Sequence, residues 1–312
     1  MNNRSQNISN YFFSFKNLFG VVLSLVCIYF VFKTFNWIEF VKHITNLNYF
    51  YLLLSFICLF LSIVLRAVRW KIFFGTNDVK VMDLYKSEII GFWGNSIFPL
   101  RLGEVIRIHY AKVLTEKKYS LIFGTIILER LIDLLLVMPF VLIFYFYFPM
   151  DLIYSKMNLM LIMISAIIFF LFIYKYFFQS IKRKFFIDIE VDIIQSFINN
   201  LLPIGLISLF IWTFILLNVY FVQESMNLNF SILDCLLIML VATIVYAVPS
   251  SPGTIGTFHL AVQEVMVKFL NCTIDSSIAF AFILHAHSYL FFIILGSYYF
   301  SKDSKNILSF RR

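Results

Sequence analysis

Nearly uninterrupted apolar runs alternate with short polar stretches along the whole chain. Six stand out: Leu18–Phe32, Tyr49–Leu65, Leu131–Phe148, Leu159–Tyr174, Leu201–Val222 and Ile278–Phe300. Each is about as long as the ~17–25 residues that a helix needs to cross a bilayer. The pattern predicts six transmembrane helices. Composition agrees: of 312 residues, 61% are hydrophobic and 13% charged, half the ~25% charge of a soluble domain. Secreted, cytosolic and disordered classes are excluded. The expected fold is all-α, a polytopic integral membrane protein forming a single transmembrane domain over residues 1–312, with short tails at 1–16 and 301–312. Six spans with their connections occupy nearly all of these residues and leave no room among them for a soluble catalytic domain of ~100 residues.

Basic residues set the expected orientation, because Lys and Arg near span ends favour the cytoplasmic side. Alternating the six runs from a cytoplasmic N-terminus places 20 of the 25 Lys and Arg inside, ten of them between Arg66 and Lys118. Four fall outside (Lys33, Lys42, Lys156, Lys268), and Arg130 lies within a span. Both termini are therefore expected in the cytoplasm of a cell membrane. The first run lacks a small-residue cleavage site and reads as an uncleaved anchor.

Two stretches interrupt the alternation. Ile89–Leu100 is apolar but only 12 residues long, with basic clusters on both sides, so it is expected to dip into the membrane and return. Ile232–Leu270 holds two apolar pieces broken at Pro249-Ser250-Ser251-Pro252-Gly253-Thr254-Ile255-Gly256. It reads either as two short spans or as a re-entrant hairpin. Each stretch carries a Pro-x-x-x-Gly break (Pro99 to Gly103, Pro252 to Gly256), and the two enter from opposite sides. Paired breaks in opposite orientation are the sequence pointer to an inverted-repeat transporter whose substrate sits where the broken helices meet.

The first break gathers Asn95, Arg101, Glu104 and Arg107. A proline ends one helix, and the amides opening the next are left unpaired toward whatever sits there. A helix starting near Arg101 would bring Arg101, Glu104 and Arg107 onto one broad face, a cradle for a lipid phosphate with Arg supplying fork geometry. An ordinary charged cytoplasmic loop is the competing reading. Glu129, Arg130 and Asp133 interrupt the apolar run Leu121–Phe148, and ionisable residues inside a span are functional candidates. Arg130 reaches Asp133 at i+3, and Glu129 shares a face with Asp133 at i+4. That run is roughly 42 Å long as a helix, so Glu129 could instead sit at the interface. A role at the site and a role bracing the first hairpin both stand.

In the second break Pro252, Gly253 and Gly256 precede His259 and Glu264, which are five residues apart and point to different helix faces. His285 and His287 in the last span read as helix–helix hydrogen-bond partners, and Arg66, Arg69 and Trp70 as an interfacial anchor. The four cysteines (Cys27, Cys58, Cys235, Cys272) are scattered singly and suit no metal site. No phosphate loop, dinucleotide fingerprint, metalloprotease motif or nucleophile elbow occurs. No cofactor, metal or nucleic acid is implied, and no enzymatic activity.

Four motifs occur in order: Arg66-x-x-Arg69-Trp70; Asn95-x-x-x-Pro99-x-Arg101-x-Gly103-Glu104-x-x-Arg107; Glu129-Arg130-Leu131-x-Asp133; and Pro249-x-x-Pro252-Gly253-x-x-Gly256. The series, from about Tyr49 to Phe300, resembles the lysylphosphatidylglycerol synthase transmembrane-region family of flippase-like membrane proteins. The resemblance implies translocation of a lipid, either an anionic phospholipid or a polyprenyl-linked glycolipid. Full synthases of the family add a soluble aminoacyltransferase domain, which these 312 residues do not supply, so synthase activity is not carried over. The chain departs from the family in the second break, where His259 stands in place of a common Glu. On this reading Arg101, Glu104 and Arg107 contact the headgroup, Glu129, Arg130 and Asp133 orient the first hairpin, and Pro252, Gly253, Gly256 and His259 form the opposite wall. The alternative is a non-transporting membrane partner of a separate aminoacyl- or glycosyltransferase.

Overall fold

A computed structural model describes residues 15–33, 35–98, 101–147, 191–247 and 251–307. The expected span at Leu159–Tyr174 and the prolines Pro99 and Pro249 lie outside them. Within the described residues the chain forms eleven α-helices and no strand: α1 (Phe15–Phe32), α2 (Trp37–Thr45), α3 (Tyr49–Phe74), α4 (Val81–Ile97), α5 (Gly103–Thr115), α6 (Tyr119–Tyr147), α7 (Val191–Asn199), α8 (Leu201–Ser225), α9 (Ile232–Ala247), α10 (Thr257–Phe269) and α11 (Ile274–Ile307).

Local chemistry explains several boundaries. Asn36 and Asn48 cap α2 and α3, their side-chain oxygens accepting the first free amides. Gly75, at φ 64°, closes α3 in the left-handed conformation. Three helices, α3, α8 and α11 up to Asp303, are long and apolar enough to cross a bilayer. The runs Leu18–Phe32 and Leu131–Phe148 fall on α1 and α6, which the structure follows to Tyr147. Large apolar side chains face outward along these helices: Leu202 is 74% exposed, Leu135 70% and Ile294 64%. So much exposed apolar surface suits lipid, not water, as the surrounding solvent. The chain is an all-α integral membrane protein.

Both interrupted stretches fold back as helical hairpins, α4–α5 and α9–α10. The first is longer than its apolar run, since α4 begins at Val81 and carries Asp83, Lys86 and Glu88 before Ile89. Each hairpin sits in its own apolar core. One is built from Ile63, Trp70, Phe73, Leu84, Ile89 and Ile122 on α3, α4 and α6. The other is built from Val222, Ile238, Met239, Phe258, Val262 and Phe280 on α8 to α11. Helices α3 and α8 form the most extensive helix pair and join the two halves.

The first hairpin closes tightly because α5 opens on Gly103. A Cβ there would overlap the Gly91 carbonyl and the Asn95 backbone amide across the hairpin. No larger residue fits without separating α4 from α5.

On the loop side, Lys117 and Asp78 clasp the α3–α4 connection to the α5–α6 connection at 2.7 Å. The hydrogen bond from Lys117 holds the exposed Asp78 carboxyl down at about 2.

Candidate functional site

Four arginines and four carboxylates from α3, α4, α5 and α6 converge beside the first hairpin. Arg107 on α5 is the hub, 2% exposed. Its guanidinium donates to Glu88 Oε1 at 2.5 Å and to Glu129 Oε2 at 2.7 Å. It also lies over the Trp70 ring, 4.0 Å from the centroid, and the Trp70 indole N–H donates to Thr125 Oγ1. One planar cation thus ties α3, α4, α5 and α6 together, which only a multi-donor guanidinium can do.

A second layer lies one helical turn further along. Arg69 donates to Asp133 Oδ1 at 2.7 Å and to Ser208 Oγ at 2.9 Å, and pairs with Glu129 at 3.3 Å. Arg66 pairs with Glu129 at 3.4 Å and Asp133 at 3.6 Å. At the rim, Arg130 donates to Glu104 Oε1 at 3.1 Å and lies 3.8 Å from Asp133, while Glu104 reaches Arg107 at 3.9 Å. Glu129 and Asp133 do share a helix face, as their spacing implies, and that face meets α3.

The sequence-derived residues therefore divide in two. Arg107, Glu129 and Asp133 are buried in the ion network, whereas Arg130 and Glu104 keep 38% and 29% of their side chains exposed. Arg101 is not on the helix as expected. It precedes α5 with φ 58°, in the left-handed region, so it does not share a face with Glu104 and Arg107. It lies within electrostatic reach of Glu104 and Arg130. Arg66, Arg69 and Trp70 are not interfacial anchors, because Arg69 and Trp70 are fully buried. The carboxylates that draw them inward are more than sixty residues away, on α6. Glu88 is not singled out by the sequence; its one signal is its place as the last charge before the apolar run from Ile89.

A cleft lined by Glu88, Gly91, Phe92, Asn95, Glu104, Arg107 and Arg130 opens at this rim. Its free volume is about 10 Å³, enough for about one water molecule. Asn95 Oδ1, Glu104 Oε2 and Arg107 Nε are buried there without a protein hydrogen-bond partner.

The two breaks meet. The turn Pro252–Thr254 packs against α4. Gly253, at φ 64°, sits against the Tyr289 ring and close to the Ser96 carbonyl, leaving no room for a side chain. Helix α11 supplies a donor to each break: His285 Nε2–H donates to the Gly253 carbonyl at 2.7 Å, and the Tyr289 hydroxyl reaches the Ser96 carbonyl at 3.5 Å. Trp93 locks the first hairpin to the same helix by donating to Ser297 Oγ at 3.0 Å and stacking on Phe300. Gly256, at φ 91°, is the N-cap of α10 and donates its N–H to His259 Nδ1. His259 and Glu264 do not pair; Glu264 is bound to Lys268 at 2.5 Å.

His287 behaves as a helix–helix partner. With its Nδ1–H directed to the Ile283 carbonyl, its Nε2 accepts from Asn218 at 2.8 Å and from Ser55 at 3.2 Å. Ser55 is fully buried and has no path to a substrate, so this trio staples α3, α8 and α11. His287→Leu removes the shared acceptor and should lower stability in detergent by about 1–2 kcal/mol. Reversible unfolding of the purified variant measures this; an unchanged stability would mean that the staple is replaced by packing.

The lysylphosphatidylglycerol synthase TM region family matches residues 17–296. A UPF0104 membrane protein of Methanocaldococcus jannaschii is 27% identical over 224 residues, covering 69% of this chain and 95% of that protein. Another, from Pyrococcus horikoshii, is 23% identical over 302 residues, covering 83% and 89%. No solved structure matches the chain.

Proposed function

Because the chain belongs to the lysylphosphatidylglycerol synthase transmembrane-region family, we propose that it is a flippase-like carrier, not an enzyme, and moves a lipid between leaflets. The cargo is an anionic phospholipid or a polyprenyl-linked glycolipid. The observation that carries this reading is the meeting of the two broken hairpins at Ser96, Gly253 and Tyr289. Broken helices abutting at the centre of a membrane protein offer backbone groups to a polar cargo without exposing them to lipid.

The buried network supplies the rigid part of this machine and the rim supplies the contact. Arg130, Glu104 and Asn95 line the cleft, with Arg101 within electrostatic reach of Glu104 and Arg130; a phosphate would find guanidinium donors there and a headgroup hydroxyl or amine would find oxygen acceptors. Arg107 holds the rim from beneath. The enclosed part of the cleft holds about one water, so on this reading seating a headgroup requires the hairpins to part. The basic-residue distribution supports cytoplasmic termini in the cell membrane, which puts the cleft near the cytoplasmic leaflet.

Mass spectrometry of lipids retained by the purified protein tests the proposal without presuming a cargo. One lipid class should be enriched over the bulk membrane and fall to the bulk proportion in Arg101→Ala/Glu104→Ala, while the variant still elutes as folded protein. Bulk lipid in both samples would contradict the carrier reading and favour a role as the membrane partner of a separate transferase.

A further inference from the structure

The second break holds two imidazoles in contact, and the hydrogen bond made by one of them, His259, requires its neutral form. His259 Nδ1 accepts the Gly256 N–H at 3.4 Å, which it can do only when that nitrogen carries no proton. His285 uses its one N–H on the Gly253 carbonyl and is 6% exposed. The two rings stand edge to face, with centroids 4.9 Å apart. We propose that His259 is a proton-binding group, held neutral against His285 while the two breaks are together and protonated when they part, so that proton uptake drives opening.

The surroundings support the neutral form in the closed arrangement. From α11 the pair is faced by Tyr289, whose ring lies tilted 5.7 Å from that of His285, and by His287, two residues beyond His285. From α9 the nearest titratable group is Tyr246, against Phe258. From α1 the contact at Gly256 is with Ser24 and Ile28, neither titratable. Helix α2 meets α11 through Phe40 and Phe282, and its Glu39 and Lys42 pair with each other at the surface. None of these described contacts brings a carboxylate to the pair.

Protonating His259 would therefore set an N–H against the Gly256 N–H and remove the cap of α10. That penalty vanishes once the tips separate and water reaches the ring. A site that binds protons better in one arrangement than in the other shifts the equilibrium toward that arrangement by the same factor. Acid thus favours the open form, giving a chain without a nucleotide-binding motif a means of coupling to a proton gradient.

The inference rests on the proposed function for its meaning, but its test reads opening directly and involves no lipid transport. Amide hydrogen exchange of residues 253–260 is followed at pH 8 and pH 5.5, with each rate divided by that of the unfolded chain at the same pH. Uptake of one proton by an open-state imidazole of ordinary pKa, about 6.5, lowers protection about tenfold across this interval. His259→Gln should abolish the dependence while retaining the cap, since Gln at this helix position accepts the same amide. His285→Gln, which can still donate to the Gly253 carbonyl, should keep the dependence and so assigns it to His259. Wild-type protection that does not change with pH would overturn the proposal, as would a drop that persists in folded His259→Gln. A protein that exchanges as expected but moves no lipid would refute the carrier reading and leave the proton site standing.

Discussion

Replacing Arg107 with Met should nearly empty the membrane of folded protein. The substitution preserves volume and an apolar stem over Trp70 but strands Glu88, 1% exposed, and takes from the fully buried Glu129 the nearest of its arginines. Breaking a buried ion pair by removing one partner costs about 3–5 kcal/mol, a large part of the 5–15 kcal/mol that holds a domain folded. Removing the orphaned charge should restore part of the loss. Arg107→Met/Glu88→Gln leaves Glu129 still held by Arg66 and Arg69 at 3.4 and 3.3 Å, so this double variant should be more abundant than the single one. Arg107→Lys should be a poor substitute, because an ammonium cannot reach both carboxylates while lying flat on the indole. Size-exclusion profiles of membrane extracts measure all three. Wild-type abundance of Arg107→Met would show that the network does not hold α4, α5 and α6 together.

The reach of the sequence is clearest where order along the chain coincides with order in space. Apolar runs announce helices because a bilayer demands length and uniform hydrophobicity, and α3, α8 and α11 follow directly. The two breaks were legible because Pro and Gly interrupt helices locally. His287 was legible as a cross-helix partner because a lone polar ring in an apolar span must find one.

Legibility failed where the cause lies far along the chain. Arg66 and Arg69 resemble an interfacial anchor until Glu129 and Asp133, 63 and 64 residues later, arrive beside them. Glu88 looks like the edge of a dip until Arg107 folds back over it. Arg101 left the expected helix because the close approach at Gly103, not the charge spacing, decides where α5 begins. His285 reads like His287 in sequence, but the turn Pro252–Thr254 brings the Gly253 carbonyl to it and gives it a different task.

The reading as a carrier stands on the parting of the two hairpin tips, and locking them tests it most directly. Ile97 and Ile255, each 41% exposed beside Ser96 and Gly253, can be changed to Cys in a Cys272→Ser background; the other three cysteines are buried. In vesicles containing the purified protein, a fluorescent phospholipid should cross between leaflets faster than in protein-free vesicles. Joining the two new cysteines with a short cleavable reagent should return the rate to the protein-free value, and cleaving the reagent should restore it. Translocation that is equally fast with the tips joined, or no faster than in protein-free vesicles before they are joined, would contradict the account.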